Sequence, residues 1–130
     1  MTSPASPELN LGPLMQINMP VKEMDSAVAF YRDTLGLPFL FQAGNLAFFD
    51  CGGVRLLVDI AEGEEFAHPG SVLYFRVEDI HAAYEALRAK GVQFVSEPHV
   101  INKTPTSELW MAFFSDGQWN THAIACDVPV

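Results

Sequence analysis

The chain contains an internal repeat, and this repeat restricts the fold more than any other feature of the sequence. A shift of 56 residues places Val21–Met24 on Val77–Ile80, with similar residues at each position. Ala47–Asp50 resembles Ala112–Ser115 at a shift of 65, because the second half contains a longer connection. A unit of this size is too small to close a core alone. Two copies must therefore pair their sheets, either within the chain or between two chains.

The first half predicts a strand, a helix and three further strands. Polar and apolar residues alternate from Leu14 to Met19, which indicates a strand. Apolar residues three or four apart then predict a helix that begins after Glu23 and ends at Gly36. The three strands that follow are predicted around Pro38–Phe41, Leu46–Asp50 and Val54–Ile60.

The second half predicts the same order. Ser71–Val77 alternates as a strand, and a helix is expected from Glu78 or Asp79 to Gly91. The later strands are predicted at Val92–Val95, Leu109–Ser115 and Asn120–Cys126. Residues 98–108 are predicted to form a long connection, either a lid or a dimer contact.

The composition restricts the possible partners. Seven Lys and Arg against 16 Asp and Glu give a net charge of −9, which excludes nucleic acid and an anionic membrane surface, since both need a basic patch. No run approaches the roughly 18 apolar residues of a membrane span. Cys51 and Cys126 form no CxxC pair, and Cys51 is expected to be an inert thiol.

We expect a cytoplasmic protein with a flexible leader over 1–12 and one domain over 13–130. The domain contains an acidic loop over 61–70, and its two modules are expected at about 13–61 and 70–128.

Three segments resemble one superfamily. Ala27–Leu37 resembles the helix end "xxFYxxxLGL", Trp110–Asn120 resembles the closing segment "xFxDPxGNxxEL", and Gly70–Val77 followed by Asp79-Ile80 is also similar. The chain thereby resembles the vicinal oxygen chelate superfamily, which includes glyoxalase I, bleomycin-resistance proteins and extradiol dioxygenases. The resemblance implies an α+β fold of two βαβββ modules with paired curved mixed sheets, of the glyoxalase/bleomycin-resistance type. It also implies that the concave sheet face holds a divalent metal or a ligand.

The resemblance places four metal-ligand positions on the first and last strands of the modules. They fall on Gln16, Leu56, Val72 and Ala123. A catalytic metal needs about three imidazole, carboxylate or thiolate donors, and this set offers one amide, so we predict no metal and no cofactor. A one-residue slip in the last strand would turn His122 inward instead of Ala123. The alternative is a displaced metal site built from Gln16, His99, Glu108 and His122.

Alternation assigns further residues to the concave face. Asn18, Tyr74 and Arg76 share it with Gln16 and Val72. Arg76 suits a carboxylate or phosphate ligand, although a structural ion pair is an equally simple use of it. Trp110 and Trp119 are candidates for stacking on a planar ligand.

Three functions follow as hypotheses. The first is a metal-independent, homodimeric protein that binds an anionic or aromatic small molecule through Gln16, Asn18, Leu56, Val72, Tyr74, Arg76, Trp110 and Ala123. The second is a metal-dependent lyase, isomerase or dioxygenase that uses the displaced site. The third is a metal-free enzyme with Tyr74 as acid or base, or a module that binds a regulatory partner.

Overall fold

The computed structural model describes residues 9–61 and 67–130, which form two four-stranded mixed sheets. The first module contains β1 (Gln16–Val21), α1 (Met24–Ala29), β2 (Phe39–Ala43), β3 (Leu46–Cys51) and β4 (Val54–Ile60). The second contains β5 (Tyr74–Arg76), α2 (Ile80–Ala89), β6 (His99–Lys103), β7 (Ser107–Ser115) and β8 (Thr121–Pro129). Residues 1–8 of the predicted leader and 62–66 of the predicted acidic loop lie outside the described residues.

The two sheets have the same topology. Their strand orders are β1-β4-β3-β2 and β5-β8-β7-β6. In each sheet the first strand runs parallel to the last, and the other pairs are antiparallel. The predicted fold of two βαβββ modules is therefore confirmed. Within the described ranges, no helix is long and apolar enough to cross a membrane.

The first helix has the predicted extent but changes its winding near its end. The Glu23 side chain accepts hydrogen bonds from the backbone N–H groups of Asp25 and Ser26, which caps the first turn. A π-helical turn over Phe30–Thr34 continues α1, and the Leu35 N–H donates to the Phe30 carbonyl at 2.9 Å. Gly36 then reverses the chain at φ 76°, a conformation that glycine adopts without a steric penalty.

The predicted strand at Val92–Val95 is wrong. Only Phe94 forms an isolated bridge there, to Phe114, and β6 forms instead at His99–Lys103, inside the segment predicted as a loop. Pairing with β7 stops where the chain bends at Val95 and Ser96, because the Phe113 N–H donates there to the Ser96 hydroxyl at 3.1 Å. Pro98, which has no N–H to donate, lies in this interruption, and pairing resumes at His99. The predicted connection over 98–108 is consequently the hairpin of β6 and β7.

Each sheet has a covered face, which packs against a helix, and an open face on the opposite side. On the covered face of the first sheet, Met19, Phe49 and Val58 pack with the buried residues of α1. On that of the second, Ala112, Phe114 and Ile124 pack with Ile80 and the apolar side of α2. Phe30 and Leu35, at the end of the first helix, contact both cores. The two modules of one chain therefore share apolar packing.

Polar contacts also join the modules. Gln118 Oε1 accepts hydrogen bonds from the backbone N–H groups of Lys22 and Glu23, at 2.7 and 3.0 Å. Gly70 approaches β1 so closely that a Cβ there would lie 2.8 Å from Met19 Sδ and 2.9 Å from Pro20 Cδ. These contacts hold the end of β1 beside the segment that leads into β5.

Candidate functional site

A cleft of about 860 Å³ lies between the two modules. Residues 50–52 and 54–56 line it from the first module, with Ile17, Leu37 and Pro38, and residues 72–76 line it from the second. Its wall combines side chains from both faces of β5, because Tyr74 and Arg76 point to one face and Phe75 to the other. The cleft thus reaches from the open faces of the sheets to the covered side.

Of the predicted site residues, Leu56, Val72, Tyr74 and Arg76 line this cleft. Gln16 and Asn18 are on the open face of the first sheet but are not among its lining residues. Ala123 is on the open face of the second sheet and is fully buried, since it pairs with Tyr74 on one side and Phe113 on the other.

The prediction that Leu56 shares a face with Gln16 is wrong. In the parallel β1–β4 pair, Gln16 lies opposite Arg55, and Ile17 lies opposite Leu56. Leu56 is therefore on the covered face, where it is 1% exposed, and it reaches the cleft from that side. The open face carries Arg55 in its place, a residue that the sequence reasoning did not select.

Trp110, which was predicted as a candidate for stacking on a ligand, is not among the residues that line the cleft. It lies opposite Cys126 in the β7–β8 pair, on the covered face of the second sheet. Its ring centroid is 5.2 Å from that of His81 on α2, and its Nε1–H donates to Glu108. Phe113, three residues after Trp110 on β7, faces the open side of the sheet instead. Trp110 therefore supports α2 and does not line the cleft.

The displaced metal site is not assembled. His122 is buried on the covered face, and Glu108 accepts a hydrogen bond from Trp110 on that same side. His99 is on the open-face side, where its Nδ1–H donates to the Glu97 carbonyl at 2.7 Å. The register also keeps Ala123, and not His122, beside Tyr74, so the one-residue slip does not occur.

The donors of the structure do not fit the divalent metal that the superfamily implies. Among residues 9–61 and 67–130, no group of three or more His, Cys, Asp and Glu side chains could hold a metal ion. The four positions implied by the resemblance offer only the amide of Gln16, and its Oε1 accepts a hydrogen bond from Arg55. A catalytic site needs about three stronger ligands than these.

The cleft has two arginines in different electrostatic situations. Arg55 Nε donates to Gln16 Oε1 at 3.1 Å, and its Cζ lies 5.5 Å from the centroid of the Phe48 ring. It is half-buried, and none of the ion pairs between described residues includes it. The Arg76 side chain is 79% exposed and pairs with Asp127 at 3.4 Å.

Cys51 is the thiol that lines the cleft. Burial raises its pKa, and the negative charge of Asp50 raises it further. The protonated thiol is a weak nucleophile, and both of these effects favour the protonated form of Cys51. Cys51 and Cys126 are both free.

A hydrogen-bonded chain of buried side chains lies between the two modules, behind Leu73 and Phe75 of the cleft wall. The Tyr31 hydroxyl donates to Asp116 Oδ2 at 2.6 Å, and His122 Nε2 lies 2.9 Å from the same hydroxyl. The Leu73 N–H donates to His122 Nδ1 at 3.1 Å. That bond leaves Nδ1 without a hydrogen, so the neutral ring carries its proton on Nε2 and donates it to the Tyr31 oxygen.

Asn120 completes this network on the other side of Asp116. Its Nδ2–H group donates to Asp116 Oδ2 at 2.7 Å and to the Pro20 carbonyl at 2.8 Å. The backbone N–H groups of Gln118 and Asn120 donate to Asp116 Oδ1. Asp116 is 2% exposed, and four donors compensate the burial of its carboxylate.

Burial sets the protonation states in this network. Desolvation lowers the pKa of His122 to about 4, although the charge of Asp116 acts in the opposite direction. Desolvation raises the pKa of Tyr31, and Asp116 adds to that increase. Both groups are therefore neutral at pH 7 and suit a structural role. Asp116, Asn120 and Tyr31 all belong to motifs quoted from the sequence, and His122 was considered there only as a metal ligand. The contacts that join these four side chains were not predicted.

Comparison with known proteins identifies the family. The family model described as Glyoxalase/Bleomycin resistance protein/Dioxygenase superfamily matches residues 14–119. The uncharacterized protein YraH of Bacillus subtilis (strain 168) is 31% identical over 100 residues, which cover 66% of this chain and 78% of that protein. A glyoxylase-like domain-containing protein of Didymella fabae is 30% identical over 127 residues, covering 91% of this chain and 95% of that protein.

Solved structures agree on the fold. A glyoxalase/bleomycin resistance protein/dioxygenase from Nocardioides superposes with a TM-score of 0.72 at 19% identity, covering 93% of this chain and 87% of the other. A lactoylglutathione lyase from Agrobacterium tumefaciens superposes with a TM-score of 0.67 at 20% identity, covering 89% and 94%. The chain belongs to the glyoxalase/bleomycin resistance protein/dioxygenase superfamily.

Proposed function

We propose that this protein binds a small organic molecule in the intermodule cleft without a metal ion. The observation that carries the proposal is the cleft itself, whose deep wall is formed by Ile17, Leu37, Leu56, Leu73 and Phe75 and whose open-face side carries Tyr74 and two arginines. Ligand sites are typically concave and mostly apolar, with a few polar groups that orient the ligand. The donor set of the described residues gives no support to a metal-dependent reaction.

A blocking variant tests this proposal. Val72 lines the cleft and is 41% exposed, so Val72→Trp adds bulk to the wall without entering the core. The matched control is Val95→Trp, at a position that is 67% exposed and does not line the cleft. Small organic compounds are screened by thermal shift, since a ligand of the native state raises the melting temperature. We expect hits that bind the wild type and Val95→Trp but not Val72→Trp; hits that bind all three proteins equally contradict the assignment.

We further propose a homodimer in which the open face of one module covers that of the partner's other module. Phe41 and Leu46, on the open face of the first sheet, are 48% and 37% exposed, and Tyr74 on the second is 55% exposed. In a two-fold symmetric dimer the same contact occurs twice, so the open faces of both modules are covered in each chain.

The free state of Cys51 and Cys126 supports a reducing compartment, and we propose the cytoplasm.

A further inference from the structure

We infer that the ligand of the cleft is an organic acid, with an apolar body held between the modules and one carboxylate bound by Arg55. This inference rests on the proposed function, because it names the ligand class of the same cleft. It also moves the anion contact from Arg76, where the sequence suggested it, to Arg55 in the other module.

Arg55 forms no ion pair with another described residue. Among the described residues, the charged side chains that line the cleft are Arg55, Arg76 and Asp50. Arg76 pairs with Asp127, and Asp50 Oδ1 accepts a hydrogen bond from the Gly53 N–H at 2.9 Å. Arg55 has no carboxylate partner among the described residues, although the chain has a net charge of −9. A half-buried guanidinium that forms no direct ion pair within the protein is a site for an anion.

Arg55 is already oriented for a ligand. Its Nε–H is used by Gln16 Oε1, and its guanidinium lies near the Phe48 ring. These two contacts hold the planar group in place and leave the terminal nitrogens without a partner among the described residues. An oriented guanidinium binds a carboxylate through parallel hydrogen bonds with less loss of side-chain entropy than a free one.

The surroundings of Arg55 also restrict the charge of the ligand. Asp50 lies opposite Arg55 in the β3–β4 pair and lines the same cleft. A carboxylate that near repels a second anion, and the repulsion is stronger for a phosphate dianion than for a carboxylate monoanion. The apolar deep wall favours an uncharged hydrocarbon or aromatic body. An aromatic or aliphatic monocarboxylic acid satisfies both conditions.

Three probes with the same naphthalene ring and different polar groups test the inference by calorimetry: 2-naphthoate, 2-naphthamide and 2-naphthyl phosphate. We expect the wild type to bind the carboxylate about tenfold more tightly than the neutral amide and more tightly than the phosphate. Arg55→Gln abolishes the preference for the acid over the amide, while its unchanged affinity for the amide shows that the cleft is intact. Arg76→Gln, the matched variant, lowers the acid affinity by no more than about threefold, and Arg55→Lys retains part of the preference.

The possible failures are distinct. Equal binding of acid and amide by the wild type, or a preference for the acid that survives Arg55→Gln, overturns the inference and leaves the proposed function standing. Tighter binding of the phosphate overturns the carboxylate class. If Arg55→Gln changes the association state and not the preference for the acid, Arg55 serves an interface and the inference is wrong. Absence of binding by all three probes at millimolar concentration contradicts both the inference and the proposed function.

Discussion

Removing one hydroxyl oxygen from the buried network is expected to cost a large part of the stability of this protein. Tyr31→Phe deletes the group that accepts from His122 Nε2–H and donates to Asp116 Oδ2. All three side chains are at most 2% exposed, so water does not replace the lost partner. An unsatisfied buried donor costs about 1–3 kcal/mol, and a hydrogen bond to a charged group contributes a similar amount. Because Asn120 still donates to Oδ2, we expect the free energy of unfolding to fall by about 2–4 kcal/mol.

Urea denaturation measures this loss, with Tyr84→Phe as the matched control. Tyr84 is half-buried on α2 and packs against Phe94, with a centroid distance of 4.6 Å. Its hydroxyl has no hydrogen-bond partner among the described residues, so its removal is expected to change the free energy by less than about 0.5 kcal/mol. If Tyr31→Phe changes stability as little as this control does, the network does not hold the two modules together.

Four further predictions follow from the same contacts. The folded-state pKa of His122 is about 4, below its ordinary value of 6.5, so the unfolded chain binds more protons than the folded one between these pH values. Lowering the pH from 6.5 to 4.5 should therefore reduce the unfolding free energy of the wild type by about 2–3 kcal/mol more than that of His122→Gln, as measured by urea denaturation. Equal dependence of the unfolding free energy on pH in the two proteins would contradict this reasoning. Gly70→Ala should lower the unfolding free energy by about 1–3 kcal/mol through its contact with Pro20, while Gly12→Ala, with no atom within 4 Å, should not. Light scattering should show a wild-type dimer that Phe41→Asp dissociates, and a monomeric wild type disproves the proposed pairing. Chelation and re-addition of Ni, Zn, Mn, Co or Fe(II) should shift the melting temperature by less than about 1 °C, whereas near-stoichiometric metal in the purified protein would reverse our interpretation of the donor set.

The fold was predictable because the sequence encodes it twice. The repeat and the alternation in each half specify two equal modules, and local signals such as the Glu23 cap and Gly36 mark the ends of the first helix. The prediction of a strand at Val92–Val95 failed because the chain bends at Ser96, whose hydroxyl replaces a backbone carbonyl as the partner of the Phe113 N–H. Such a local interruption is not visible in an apolar pattern alone.

The faces of the site residues were less predictable. Alternation fixes which residues of one strand share a face, but it does not specify the register between strands. Leu56 was therefore placed on the wrong face, and Arg55 was overlooked although it lies directly opposite Gln16. His122 shows a second limit, because its partners Tyr31 and Leu73 are 91 and 49 residues away in the sequence. Only the packed structure brings these groups together.

The central claim is that the intermodule cleft is the binding site, and an amide-resolved NMR titration with 2-naphthoate tests it most directly. We expect the resonances that move with ligand concentration to belong to residues 50–52, 54–56 and 72–76, which line the cleft from opposite modules. The two groups should shift with a common dissociation constant, because one ligand contacts both. Shifts confined to other parts of the chain, such as the surroundings of Trp110 and His81, would contradict the account, as would the absence of any shift at saturating probe.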